Sequence, residues 1–506
     1  MTATGYSVLG VTAVVVATLG VGAYGWRFSR TTSDFFVASR TVRPGLNASA
    51  IGGEYLSAAS FLGVAGLVLA FGTEMLWYPV GWTAGYLVLL VLVAAPLRRS
   101  GAYTLPDFAE ARLGSVPVRS LCSLLVVAVG WLYLLPQFQG ASVTLSLVIG
   151  APPWLGAVVV ALVVLANVSS GGMRSITFVQ AFQYWLKLTA LLIPAAVLLV
   201  VWAGDGASNP ADAGPGADLW SLPVGEGGMQ GMYVTYSLII ATFLGTMGLP
   251  HVVVRFYTNP DGRAARRTTL VVLGLLGIFY LLPPIYGALG RLYADELATS
   301  GAGDVLVLQL PGIMVPGLGG DLLTGLVTAG AFAAFLSTSS GLAIAVAGVI
   351  GQDVAGRLLG GRRMSGVTAF RIGAVVSVVV PCLAALSAPD VSVARTVGLA
   401  FAVAASTFCP LLLLGIWWRP LTDAGAIAGL LVGGLGSGVA VGYTLLPATT
   451  EGWGHALLSQ PAAWSVPLAL VTMVVVSKLT ASRVPVHAGR FMVRLHTPEQ
   501  VELDRG

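Results

Sequence analysis

The sequence predicts an all-α polytopic membrane protein with about 13 transmembrane helices. Composition is the first ground for this: the 506-residue chain is 56% hydrophobic and only 9% charged, with a mean hydropathy of +0.87. The second is length, because its apolar runs recur near the ~20 residues that a helix needs to cross the hydrocarbon core. The third is charge placement. Of the 26 Lys and Arg residues, all but Arg291, Arg395 and Lys187 fall in alternate loops or in the C-terminal tail. Positive charge is retained on the cytoplasmic side during insertion. The expected orientation in the cell membrane therefore has the N-terminus outside and the C-terminus inside. The net charge of +5 follows this loop asymmetry and calls for no nucleic-acid partner.

The spans follow one another along the chain. The first, near 7–26, is too long for a signal-peptide core and lacks a small-residue cleavage site. A basic loop follows with Arg27, Arg30, Arg40 and Arg43. Spans two and three cover about 46–72 and 75–97. In the next basic loop Leu105-Pro106-Asp107-Phe108 reads as a helix start with Pro in its first turn. Span four runs about 118–149, with Pro136 as its expected kink. Spans five and six, about 153–168 and 176–202, flank a Ser-Gly-Gly turn at 170–172. Residues 203–228 form an outside loop with Asp205, Asp212, Asp218 and Glu226 and no basic residue. Span seven, about 229–250, precedes a loop with Arg255, Arg263, Arg266 and Arg267. Span eight is about 268–290, and 291–317 is long enough for a short surface helix. Span nine, about 320–350, leads to Arg357, Arg362, Arg363 and Arg371. Spans ten to thirteen are about 367–388, 393–418, 424–446 and 463–480. Residues 1–480 are thus one transmembrane domain, and 481–506 a cytoplasmic tail. Cys122, Cys382 and Cys409 all lie in apolar runs without CxxC spacing and read as packing residues.

Two spans are interrupted. Span two carries Gly52-Gly53 beside Glu54; span seven carries Gly245 and Gly248 followed by Pro250. They stand five spans apart, at matching places in two five-span halves of about 46–202 and 229–418. Paired interruptions of this kind point to an inverted repeat with a midplane binding site, although Gly and Pro are common in membrane helices anyway. Span nine places Ala334, Ser337 and Thr338 at i, i+3 and i+4, on one helix face. Their oxygens, with carbonyls freed by a break in span two, would make a cage for a monovalent cation. The competing reading is that Ser and Thr in membrane helices bond back to their own carbonyls. Glu54 and Lys187 lie inside spans, where an ionisable group is functional by default. Glu54 stabilises an unwound region, couples to a cation or pairs with a base; Lys187 snorkels or faces the interior and attracts an anion. His251 is placed at the inner membrane surface, and Trp417-Trp418-Arg419 reads as an interfacial anchor. No GxxxxGK[ST], HExxH or GxSxG run occurs, so neither ATP hydrolysis nor another enzyme activity is expected.

Several segments are similar to one family. Ser33-Asp34-Phe35-Phe36-Val37-Ala38 with Arg40, then Gly53 through Gly63, and Gly171-Gly172-Met173 resemble the sodium:solute symporter family. Gly245-Thr246-Met247-Gly248-Leu249-Pro250-His251, continuing through Arg255-Phe256-Tyr257-Thr258, looks like its cation/acetate and monocarboxylate branch. The resemblance spans about 30–480. It implies a leucine-transporter-type 5+5 inverted repeat, with one extra helix before and two after, and alternating access. It also implies sodium ligands at Gly53, Leu56, Ala334, Ser337 and Thr338. Many members carry an acid where this chain has Gln180, a departure that removes a cation-attracting carboxylate.

The resulting expectation is import of a short monocarboxylate with sodium and no cofactor. The substrate would lie near Ser57, Ser60, Gln139 and Thr246. The alternatives are a sodium- or proton-coupled symporter for an amino acid or osmolyte such as proline, and a membrane sensor with a transporter-like fold.

Overall fold

The computed structural model describes residues 2–27, 31–213, 220–224, 228–299, 301–355, 365–387, 393–445 and 452–499. Arg30, Asp218, Glu226, Arg357, Arg362 and Arg363 lie outside the described residues, as does the side chain of Arg395. Among the described residues, eleven helices are long and apolar enough to cross a membrane. The expected number of about 13 is reached by dividing two long segments. Pro153–Gly204 holds 52 residues, about 78 Å if straight and more than twice the hydrocarbon thickness. It contains Gly172 at φ +54, where a Cβ would lie 2.6 Å from the Phe35 backbone, and this is the turn between spans five and six. The 42-residue stretch Ala58–Arg99 joins the second half of span two to span three.

The first half of the repeat begins with α1 (Ala3–Trp26) set outside it, then α2 (Thr32–Val37), α3 (Pro44–Tyr55) and α4 (Leu62–Phe71). It continues through α5 (Trp77–Val88), α6 (Ala94–Arg99), α7 (Leu105–Leu113), α8 (Val116–Ile149) and α9 (Pro153–Gly204). The second half holds α10 (Met229–Gly248), α11 (Pro250–Phe256), α12 (Gly262–Tyr280), α13 (Leu282–Tyr293) and α14 (Leu306–Met314). After them come α15 (Leu318–Val349), α16 (Gly366–Ser387) and α17 (Val393–Trp417). Peripheral to both halves are α18 (Asp423–Leu445), α19 (Trp453–Ser459), α20 (Ala462–Leu479) and α21 (Ala488–His496).

Burial ranks these helices. The most apolar stretch of Leu318–Asp353 is 100% buried and that of Thr396–Trp417 94%, against 28% for α1 and 33% for α20. Thus α15 is the central rod, packed by α9, α1 and α8, and α17 is the second, packed by α10 and α8. Burial without polar cost is possible because α15 is built from Ala, Gly and apolar residues around a short hydroxyl run.

The arginine-bearing loops gather at one end. Thr104 caps α7 with Asp107 in a reciprocal box, with Pro106 in the first turn, the start that the sequence predicts. Arg119 on α8 bridges Asp107 at 2.7 Å and Asp353 beyond α15 at 2.6 Å, and also pairs with Glu110. The expected tail is not wholly loose: α21 turns its Ala488, Phe491 and Leu495 inward, with Phe491 6.1 Å from the Phe108 ring.

At the same end Asp34 accepts from Ser39 at 2.6 Å and from Arg174 at 2.7 Å, and its carboxylate closes the Thr31 capping box of α2. Burial opposes ionisation of Asp34, but the hydrogen bonds from Ser39, Arg174 and Thr31 outweigh it and hold the carboxyl below the usual range. A depressed carboxylate contributes stability above its unfolded pKa, and that stability is lost as pH falls. Acidification below about pH 4 is therefore expected to lower the unfolding temperature. Asp34→Asn should flatten that dependence; an unchanged slope in thermal unfolding against pH would contradict it.

Candidate functional site

The first interruption lies three residues beyond the glycine pair, a correction to the expected position. Gly52 and Gly53 are inside α3, which ends at Tyr55. They serve close packing: a Cβ on Gly52 would sit 2.7 Å from the Tyr184 ring, and one on Gly53 would collide with the Gln180 carbonyl. The chain leaves the helix at Leu56, at ψ 81, and resumes as α4. Ser57 N–H then bonds Tyr55 O at 2.9 Å, and Ser60 N–H bonds Ser57 O at 3.0 Å. The carbonyls of Gly53 and Leu56 thereby lose their ordinary i+4 donors. Buried polar groups need partners, and these come from other helices.

The partners are a hydroxyl face and an amine. Ser337 Oγ lies 2.6 Å from Gly53 O and 3.1 Å from Ala334 O. Thr338 Oγ1 donates to Glu54 O at 2.8 Å. Lys187 Nζ, from α9, donates to Gly53 O at 2.5 Å, Leu56 O at 2.7 Å and Ser337 Oγ at 3.0 Å. The five expected cation ligands are thus neighbours. Three of them meet on the Lys187 ammonium, while Thr338 and Ala334 are engaged elsewhere. Lys187 is fully buried, so of its two sequence readings, snorkelling is excluded.

Beneath the break lies an ion pair. Arg255 Nε donates to Glu54 Oε2 at 2.6 Å. Its Nη1 donates to Thr177 Oγ1 at 3.0 Å and its Nη2 bonds Gln180 Oε1. Gln180 Nε2 donates in turn to Ser337 O at 2.8 Å. Gln180 thus links the pair to the hydroxyl helix. Arg255 is fully buried, whereas charge counting places it in a basic loop. The reason is the second interruption: Leu249 at ψ 119 ends α10, and α11 turns its Arg255 inward. His251 is also corrected. It is buried rather than at the surface, 5.4 Å from the Tyr133 ring.

The expected substrate residues separate into groups. Ser57 and Ser60 are in the break, where Ser60 Oγ donates to Ser57 O at 2.6 Å. Gln139 lines a cavity of about 100 Å³ with Ala58, Leu62, Thr144, Asp304 and Phe335. Thr246 Oγ1 lies 2.7 Å from Tyr55 OH. Around that last pair is an aromatic cluster that the sequence reading missed. Phe401 packs 6.2 Å from Tyr55, 5.7 Å from Trp82 and 5.9 Å from Tyr133; Tyr86 is 4.8 Å from Tyr55 and Tyr280 5.7 Å from Trp82. Trp82 Nε1, Tyr86 OH and both His251 ring nitrogens are buried without hydrogen-bond partners. Isolated aromatics in apolar spans carry no local signal; only His251, beside Pro250 at the second break, was open to inference.

Two interrupted helices facing one hydroxyl-bearing rod form the centre of a fold that known proteins share. The sodium:solute symporter family profile matches residues 35–433. The chain belongs to the sodium:solute symporter family. Symporters of this family move a solute together with sodium. The uncharacterized symporter YwcA of Bacillus subtilis (strain 168) is 30% identical over 480 residues, covering 90% of this chain and 91% of its own. A Na+-coupled sialic acid symporter in a substrate-bound outward-open state superposes with TM-score 0.73 at 14% identity, covering 98% of this chain and 99% of that one. Mhp1, a nucleobase-cation-symport-1 family transporter in a closed conformation, does so with TM-score 0.56 at 15% identity, covering 91% and 98%. MhsT in complex with L-phenylalanine gives 0.54 at 15% identity, covering 87% and 98%. The fold is the leucine-transporter type, as the family resemblance implies.

Proposed function

We propose that this symporter imports a short monocarboxylate of the acetate, propionate or pyruvate type by alternating access. A cation held at Gly53, Leu56, Ala334, Ser337 and Thr338 is the coupling partner. The observation that carries the reading is a charge imbalance. Around the break, Lys187 and Arg255 stand against a single buried acid, Glu54, and Glu54 is committed to Arg255. One positive charge is left over, and a monoanionic substrate neutralises it at no added desolvation debt. The unpartnered N–H and O–H groups of Trp82, Tyr86 and His251 supply neutral donors suited to a carboxylate. The aromatic cluster around Phe401 borders these donors and suits a small apolar substrate tail. A zwitterion such as proline fits less well, since Glu54, the acid at the break, already pairs with Arg255. The cation/acetate resemblance of residues 245–258 points the same way. The basic loops then face the cytoplasm, in the cell membrane.

Uptake by the purified chain in sealed vesicles tests this. Labelled acetate should accumulate, and propionate and pyruvate should compete where proline and sugars do not. Trp82→Phe keeps the ring and removes one donor. It is expected to raise KM on the order of tenfold, the effect of one hydrogen bond to a charged group. Competition by proline alone would overturn the assignment.

A further inference from the structure

We infer that the resident cation of the cage is the ammonium of Lys187, and that the proton it carries, rather than a free sodium ion, is what this chain couples to its substrate. The inference rests on the monocarboxylate reading and names the cation of that same site. It departs from the coupling ion that the family name implies.

Four observations converge. Lys187 Nζ has three N–H groups and three acceptors within 3.0 Å, on Gly53, Leu56 and Ser337. An ammonium donates three hydrogen bonds and accepts none, so every proton of the charged form is placed. None of the three acceptors is a carboxylate. The amine is therefore held by the oxygens expected for sodium, not by an ion pair. The two remaining ligands have turned to other work: Thr338 Oγ1 donates to Glu54 O, and Ala334 O lies within reach of Ser337 Oγ. Lys187 is also fully buried, where a cation without a role is expensive. A sodium ion and this ammonium cannot share the site, because both require Gly53 O, Leu56 O and Ser337 Oγ.

The groups facing Lys187 leave it as the proton carrier. On α3 stand Glu54, paired with Arg255 of α11, and Tyr55, bonded to Thr246. On α9 itself stands Tyr184, whose hydroxyl donates to Leu275 O at 3.1 Å. From Leu322 to Gln352, along α15 and just past its end, there is no titratable side chain. Neutral Lys187 would keep two N–H groups for three oxygens, so one of its three contacts loses its donor, which loosens the cage. In the cycle, Nζ takes one proton from water on the side where substrate enters and closes the cage as an ammonium. It returns that proton to water on the other side and keeps its electron pair. One proton and one monoanion cross together, so the transfer is electroneutral.

The test uses the full chain in two readouts. In vesicles without sodium, labelled acetate should accumulate under an inward proton gradient and be indifferent to membrane potential. Lys187→Met should abolish that accumulation while keeping a monodisperse elution profile and a cooperative melting transition, which show that the variant is folded. In detergent, sodium should leave the melting temperature of the unmodified protein unchanged. In Lys187→Ala, where the amine no longer fills the cage, sodium should raise it. This second readout needs no substrate, so it separates failure of the inference from failure of the monocarboxylate assignment. Acetate accumulation that requires a sodium gradient and survives in Lys187→Met would overturn the inference. So would a sodium-induced rise in melting temperature that is equal with and without Lys187.

Discussion

Replacing Arg255 with methionine is expected to destabilise the protein by about 3–5 kcal/mol, the cost of breaking a buried ion pair by removing one partner. Methionine fills much of the space and leaves no charge of its own. What it leaves is the Glu54 carboxylate, 1% exposed and deprived of the guanidinium 2.6 Å away. Thr177 and Gln180 lose a partner as well, and Gln180 is the link to Ser337. The loss should appear as a fall in melting temperature and in the yield of monodisperse protein. The double variant Glu54→Gln with Arg255→Met removes both charges and should recover part of it, because coupled neighbours are not additive. A single-variant loss below about 1 kcal/mol, the scale of an exposed pair, would show that water reaches this site.

Gly53→Ala is expected to have the second large effect. The added methyl would collide with the backbone carbonyl of Gln180, which cannot rotate away as a side-chain tip would. Helices α3 and α9 must then separate. Overpacking of this kind costs typically 1–3 kcal/mol. The functional loss should exceed the stability loss, because α3 carries the carbonyls of Gly53 and Leu56 while α9 carries Lys187. Coupled uptake should fall more than substrate exchange does. Gly274→Ala is the matched control: it lies within α12 with nothing within 4 Å of the added carbon. It should be neutral or slightly stabilising. Equal effects at the two glycines would rule out the close approach as the cause.

The two cases show where sequence reasoning reached and where it stopped. Ser337 and Thr338 were legible as one helix face because the 3.6-residue period is local. The interruptions were legible because Gly and Pro punctuate helices wherever they occur. The position of the first break was not, since two glycines inside a helix are equally good contact residues, and Gly52 and Gly53 proved to be that. Charge counting assigned Arg255 to a loop, because a residue just past an apolar run is ordinarily exposed. It had no means to see that α11 re-enters the bundle after Leu249.

The sequence by itself determined the membrane class, the order of the spans, the paired interruptions and the hydroxyl face, all of which follow from hydropathy and period within a few turns of chain. Only the tertiary structure decided which groups meet. Arg255 lies 201 residues from Glu54, and Lys187 lies 134 and 131 residues from the carbonyls that it holds. Such meetings are set by how helices pack across the bundle, and a side chain's own neighbours in sequence carry no record of them.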